Sequence, residues 1–180
     1  MSKINIVFMF LFGGGYFFTS NSFAVDVPIT ISGVIKTAPC IINKNEKIVF
    51  NFNTIQMDSV DNVSNFITKN IPIDCQYYQG KPYVNIVGDK LVNAPSNVLQ
   101  TKGNTGLGIA LYQGNSVNSS YPIAIDNNIN NLGSEIINGL SGKGQANGNF
   151  SITAVPYAVN VNKLTPGKFE STAKIIITYN

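Results

Sequence analysis

Three residue types that carry much protein chemistry, histidine, arginine and tryptophan, are absent from this chain of 180 residues. Without histidine, nucleophilic catalysis by a Ser/His/Asp or Cys/His set is excluded in its usual form. Without arginine, and with the 12 lysines scattered, the chain has no basic cluster that could follow a nucleic-acid backbone. A chain without histidine and with only two cysteines, far apart in sequence, also offers few ligands for a metal site. We therefore expect a protein that is not an enzyme and has no cofactor, no metal, no nucleic-acid partner and no small-molecule substrate.

Long hydrophobic runs are also missing, apart from one near the start. Lys3 precedes an apolar run of 15 residues at 4–18, and Ser22 and Ala24 place small residues where a signal peptidase reads. A membrane anchor is the alternative, but the run contains three glycines and a span requires about 20 apolar residues. The sequence thus predicts an export signal at 1–24 and a mature chain that begins at Val25, with a charge of 11 minus 9, or +2.

Only two cysteines are present, Cys40 and Cys75, and both lie in the part that is expected to be exported. Thiols are normally oxidised in the periplasm or outside the cell, so we predict one disulfide between them. Two buried free thiols are the alternative.

Apolar and polar residues alternate with a period of two along most of the mature chain, as half-buried strands require. Turn signals rich in glycine, proline and asparagine separate these stretches, and the stretch at 126–140 indicates a long loop with one turn at most. The length suits one domain, and the pattern predicts an antiparallel β-sandwich. The eight predicted strands are 27–32, 48–53, 66–75, 83–87, 107–112, 121–125, 150–161 and 171–179.

The two ends of the mature chain carry the clearest alternation. One face of the last predicted strand is apolar, and that strand ends flush with the chain, which would leave an edge and an apolar face in need of a partner. From the residues alone, the first and last strands could equally pair with each other in a complete domain. The apolar residues are Val25, Val27, Ile29 and Ile31 at the start, and Ala173, Ile175, Ile177 and Tyr179 before Asn180 at the end.

Four segments together resemble one family, that of chaperone–usher pilins, over essentially the whole mature length. They are 29–33 leading into 38–40, the second cysteine after a strand at 71–75, the segment 107–112, and the tail 167–180. The tail has Gly167 as its fourteenth residue from the end and the aromatic Tyr179 next to last. The chain is most similar to the minor tip-adaptor subunits of P-type fimbriae.

The resemblance implies an all-β fold, an incomplete immunoglobulin-like β-sandwich that lacks its C-terminal strand. A donor strand from a periplasmic pilus chaperone, and then from a neighbouring subunit at the outer-membrane usher, would complete it. It implies a donor extension at 25–35 that runs into the first strand, and a pilin domain at 36–180. The donor residues would be Val25, Val27, Ile29 and Ile31; the acceptor groove and chaperone-binding tail would include Gly167, Ala173, Ile175, Ile177, Tyr179 and Asn180.

The expected role is a minor pilin at the cell surface, linking an adhesin to the fibre and supporting cell adhesion. Pro28 departs from this pattern, because it cannot donate a backbone hydrogen bond within a donor strand. Within the same class the alternative is a major pilin. A single-domain carbohydrate-binding fimbrial adhesin is the second alternative, although the usual stacking residue for sugars, tryptophan, is absent. A hydrolase using Asp58 and Asp61 is the third, but two acids in a polar loop more often mark a solvated turn.

Overall fold

The computed structural model describes residues 27–180, so the predicted export signal at 1–24 and the predicted donor residue Val25 lie outside the described residues. The chain divides into two units, Met1–Val34 and Ile35–Asn180. In the first unit the described residues form no strand hydrogen bonds, and Val27, Ile29 and Ile31 are exposed. The strand predicted at 27–32 is therefore not formed in this structure.

The second unit is built from ten strands and three short 3₁₀ helices, at Asn43–Asn45, Met57–Ser59 and Val161–Lys163. Within residues 27–180 no helix has the length and apolar character that crossing a membrane requires. The strands are β1 (Ile41–Ile42), β2 (Ile67–Asp74), β3 (Pro82–Val87), β4 (Val98–Gln100), β5 (Leu107–Gln113), β6 (Ile125–Asp126), β7 (Ser134–Glu135), β8 (Leu140–Ser141), β9 (Asn147–Ala158) and β10 (Lys174–Tyr179).

These strands form two sheets. The first has the order β1-β2-β9-β5-β4, with β8 also paired to β9; the second has the order β10-β3-β6, with β7 also paired to β3. All pairs are antiparallel except β3 with β6. The last strand, β10, therefore lies at an edge of the second sheet.

The core lies between the two sheets, and alternation selects the side chains that enter it. On β9, Phe150, Ile152 and Ala154 face the second sheet, whereas Val155 faces the opposite side, in a smaller cluster with Val98 and Ala110. Because β9 is covered on both faces, its residues 150–156 are all buried. The other principal core residues are Ile71, Ile73, Ile109 and Leu111 from the first sheet, and Val84, Ile86, Ile177 and Tyr179 from the second.

The predicted disulfide is confirmed. Cys40 and Cys75 are joined, with an Sγ–Sγ distance of 2.03 Å, and both are buried. The bond links the residue before β1 to the residue after β2, so it fixes the end of the first sheet at which β1 pairs with β2.

Five of the predicted strands are present within two or three residues of their observed ends: β2, β3, β5, β9 and β10. Two others differ. The predicted strand at 121–125 is reduced to β6 and one bridge between Tyr112 and Pro122. The predicted strand at 48–53 forms no pairing, although Ile48, Phe50 and Phe52 pack against the core. The loop expected at 126–140 contains β7, reaches the start of β8 and has one hydrogen-bonded turn, in which the N–H of Asn131 donates to the carbonyl of Asn128 at 3.3 Å.

Candidate functional site

An open groove of about 1430 Å³ lies along β10 in the second unit. Its floor is apolar, because core side chains of the first sheet point into it. One rim is β10 with the residues that precede it, and the other is the unpaired segment at 46–55. The floor includes Ile71, Leu99, Ile109, Leu111, Ile152 and Ala154.

The free edge of β10 presents backbone hydrogen-bonding groups to this groove. Asn180 and Lys81 exchange two backbone hydrogen bonds of 2.9 Å, which fixes which residues of β10 bond to β3. Since bonding directions alternate along an antiparallel strand, the N–H and C=O groups of Ile175, Ile177 and Tyr179 point away from β3. Among residues 27–180, only the backbone N–H of Cys40 bonds to this edge, donating to the carbonyl of Ile177 at 2.8 Å. Most of the edge is therefore unpaired.

The opposite rim is formed by residues that also alternate. Ile48, Phe50 and Phe52 are half-buried and pack against the core, whereas Val49 and Asn51 between them are exposed. The ring of Phe52 lies 6.3 Å from that of Phe169, centroid to centroid. Cys40 lies beside Ile177, near the end of β10, whereas Phe52 lies beside Phe169, which precedes β10. The segment from residue 40 to residue 52 therefore passes from the end of β10 towards its start. The rim at 48–53 runs in the direction opposite to β10.

The structure brings most of the predicted tail residues to this groove. Gly167, Ala173, Ile175, Tyr179 and Asn180 line it. The side chain of Ile177 belongs instead to the packed core, with 0% of its surface exposed. Tyr179 is 2% exposed, and its burial raises the pKa of the phenol.

Sequence reasoning missed the second rim and the aromatic pair that closes one end. The alternation of Ile48, Phe50 and Phe52 was visible, but it predicted an ordinary paired strand rather than one wall of a groove. Phe169 carried no signal of its own, because it follows a turn and precedes the periodic part of the tail. The predicted donor residues Val27, Ile29 and Ile31 lie in the other unit, where they are exposed.

Backbone contacts hold the end of β10 in place. Gly80 has φ +92°, and a Cβ atom at this position would lie 2.6 Å from the carbonyl oxygen of Asn180. The next residue, Lys81, makes the paired backbone bonds to Asn180 and a 3.1 Å ion pair with Glu135, which raises the pKa of the lysine. Residue 80 therefore has to be glycine for the last residue to approach so closely.

Charged groups around the groove are few. The lysines that line it are Lys36, Lys47, Lys168 and Lys174, and the acids are Glu46 and Glu170. Within the described part of the chain, no three His, Cys, Asp or Glu side chains are grouped so that they could hold a metal. The arrangement offers an apolar cleft beside unpaired backbone groups, which is a surface for binding an extended chain.

Comparisons with known proteins agree with this geometry. A family model described as "Fimbrial protein" matches residues 29–180. The minor fimbrial protein PrsF of Escherichia coli is 36% identical over 162 residues, which cover 90% of this chain and 93% of that protein. The fimbrial adapter PapF of Escherichia coli is 35% identical over the same shares.

A solved structure of the P pilus adaptor subunit PapF, described for its polymerization reactivity, has a TM-score of 0.54 and 30% identity. The match covers 81% of this chain and 98% of the PapF chain. The two-sheet architecture with an open edge at β10 is the incomplete immunoglobulin-like sandwich of such subunits. On these grounds the chain belongs to the fimbrial protein family.

Proposed function

We propose that this chain is a minor pilin of the adaptor type, assembled into a chaperone–usher fimbria at the cell surface by donor-strand complementation and exchange. One observation carries the proposal: β10 leaves most of an edge unpaired beside an apolar groove that no segment of the second unit fills. The similarity to PrsF and PapF supports the adaptor position.

The groove acts as the acceptor. A strand added beside β10 would bond to the free N–H and C=O groups of Ile175 and Tyr179 and to the free N–H of Ile177, whose carbonyl already accepts from Cys40. Alternate side chains of that strand would descend onto the apolar floor, where each aliphatic residue would contribute roughly 1.5–3 kcal/mol. Ladder bonds then supply affinity, and the fit of the alternate side chains supplies specificity.

The segment at 25–35 acts as the donor to the next subunit, after removal of the export signal at 1–24. Its apolar residues are Val25, Val27, Ile29 and Ile31, of which the three within the described residues are exposed. Pro28 cannot donate a hydrogen bond, so we place its nitrogen on the side of the donor strand that faces away from β10. The pilin domain is then 36–180.

Two kinds of partner would occupy the groove in turn. A periplasmic chaperone would lend a strand during export; chaperone–pilin complexes are themselves established cases of β-strand addition. At the outer-membrane usher, the extension of a neighbouring subunit would replace it, and an adhesin would be the neighbour on one side. No catalytic step, cofactor or small-molecule substrate enters this scheme.

Replacement of Ile175 tests the acceptor role. Ile175 is half-buried at the free edge of β10, so Ile175→Asp would place an unpaired charge where the added strand must pack, a cost of several kcal/mol. We expect co-purification with the chaperone to fall at least about tenfold, since about 1.4 kcal/mol corresponds to a factor of ten. The matched control is Ile137→Asp, because Ile137 is 60% exposed and does not line the groove. Undiminished capture of Ile175→Asp would count against the proposal.

A further inference from the structure

The second sheet has an outer face, directed away from the core, and the edge strand contributes an isoleucine to it. Ile176 of β10 lies opposite Asn85 of β3. The residues on either side of each one, Ile175 and Ile177 in β10 and Val84 and Ile86 in β3, pack in the core. Because side chains alternate along a strand, Ile176 and Asn85 point outward.

The loop at 127–133 covers this outer face and is held there by polar contacts. Asn85 is 2% exposed, and its side-chain nitrogen donates to the carbonyls of Asn128, at 3.1 Å, and Asn131, at 2.9 Å. The carboxylate of Asp126 accepts from the side-chain amide of Asn131 at 2.5 Å and from the backbone N–H of Asn128 at 2.9 Å. These bonds, the first most strongly, lower the pKa of Asp126. The loop is thus tied to the second sheet by Asn85 of β3 and by Asp126, the last residue of β6.

Two apolar side chains of the tethered loop remain accessible beside the edge strand. Ile129 is 49% exposed and Leu132 is 40% exposed, and both line the groove together with Ile176. We call these three residues the outer shelf. A loop otherwise composed mainly of asparagine thus holds two accessible aliphatic side chains in a fixed position next to a free strand edge.

We propose that the outer shelf binds an outward-facing aliphatic side chain of the strand that is added to β10. This inference rests on the proposed function, since it needs an added strand. Residues directly opposite on neighbouring strands lie about 4.5–5.5 Å apart, so the residue next to Ile176 on the added strand reaches the shelf. The acceptor then contacts both faces of its donor strand. The inward residues pack on the apolar floor of the groove, and one outward residue packs on the outer shelf.

A competition between donor peptides tests this. Two synthetic peptides share the same aliphatic residues at their inward positions and differ at one outward position, which is isoleucine in one and serine in the other; each outward position is tested in turn. The mature chain, held in its chaperone complex, is mixed with equal amounts of both. Mass spectrometry then gives the ratio of the two exchanged complexes at equilibrium.

At one outward position we expect the isoleucine peptide to be favoured by roughly two- to fivefold, as a single cross-strand apolar pair allows. The double variant Ile129→Ser/Leu132→Ser should bring this ratio close to one, while Ile137→Ser, which replaces an exposed isoleucine away from the groove, should leave it unchanged. A ratio near one at every position in the original chain overturns the shelf but leaves the groove intact, and so does a preference that survives the double variant. Failure of both peptides to exchange at all overturns the groove as well.

Discussion

Single residues decide how the exposed turns of this chain hold their shape, and Asp61 is the clearest example. Its carboxylate accepts hydrogen bonds from the hydroxyl of Ser64 at 2.7 Å and from the backbone N–H groups of Ser64, at 2.5 Å, and Val63, at 2.9 Å. The hydroxyl bond has the largest effect, and together these bonds lower the pKa of Asp61 to about 2. At Asp61, the solvated turn expected around Asp58 and Asp61 is thus organised by hydrogen bonds to the carboxylate.

Acid should remove this contribution. The pKa of Asp61 is lower in the folded chain than the ordinary value near 3.9, so its hydrogen bonds stabilise the fold above about pH 4 and are lost as the pH falls through about 2. We expect Asp61→Asn to melt at a lower temperature than the original chain at pH 6, and the difference to become much smaller at pH 2, where about half of the Asp61 carboxyls in the folded chain are protonated. Calorimetry on the strand-complemented protein measures this. Asp58→Asn is the control, and a difference between Asp61→Asn and the original chain that is as large at pH 2 as at pH 6 would contradict the assignment.

Most of the tail residues predicted for the groove do line it, but their separate roles could not be predicted. Alternation placed Ile175, Ile177 and Tyr179 on one face, yet it could not show that Ile177 belongs to the closed core while Ile175 stays at the open edge. Ile177 lies at the end of β10 where its carbonyl accepts a hydrogen bond from the N–H of Cys40. This contact joins residues 137 positions apart, and no local pattern encodes it. The outer shelf could not be predicted from sequence either, because Ile129 and Leu132 appear there only as two apolar residues in a loop.

Strands with strong alternation and two neighbours are the elements that sequence predicted best. β2, β5 and β9 form the centre of the first sheet, where propensity and pairing agree. Short strands such as β4 and β7 were missed, since their three and two residues exist only because longer neighbours supply the hydrogen bonds. The segments at 27–32 and 48–53 show the reverse case: both alternate, and neither is paired in this structure.

The disulfide is the covalent tie between β1 and β2. Cys40 and Cys75 are 35 residues apart, and closing a loop of that size is worth about 3–4 kcal/mol in the chain-entropy model. For a domain of this size we therefore expect the double variant Cys40→Ala/Cys75→Ala, in the strand-complemented protein, to melt about 6–16 °C lower. Reduction of the original chain should reproduce the loss and should not affect the double variant. An unchanged melting temperature would show that the bond adds nothing to the fold.

The molecule as a whole combines a groove that lacks a strand with an extension that has the alternation of one. The two features lie in different units of the same chain, Ile35–Asn180 and Met1–Val34. Association in which one copy's extension fills the next copy's groove is head-to-tail, and such contacts propagate into fibres when they do not close. Association of this kind would give a use to both the apolar cleft and the exposed, alternating extension.

The stability of the isolated mature chain, 25–180, tests this most directly. It should be compared with the same chain carrying a fused donor strand of alternating aliphatic residues on a flexible C-terminal linker, and with a control whose inward donor residues are serine. The fused chain should be a monomer that melts at least about 10 °C higher than the other two, because three inward side chains would contribute roughly 1.5–3 kcal/mol each. If the isolated chain is instead a stable monomer that gains nothing from the fused strand, its groove needs no partner.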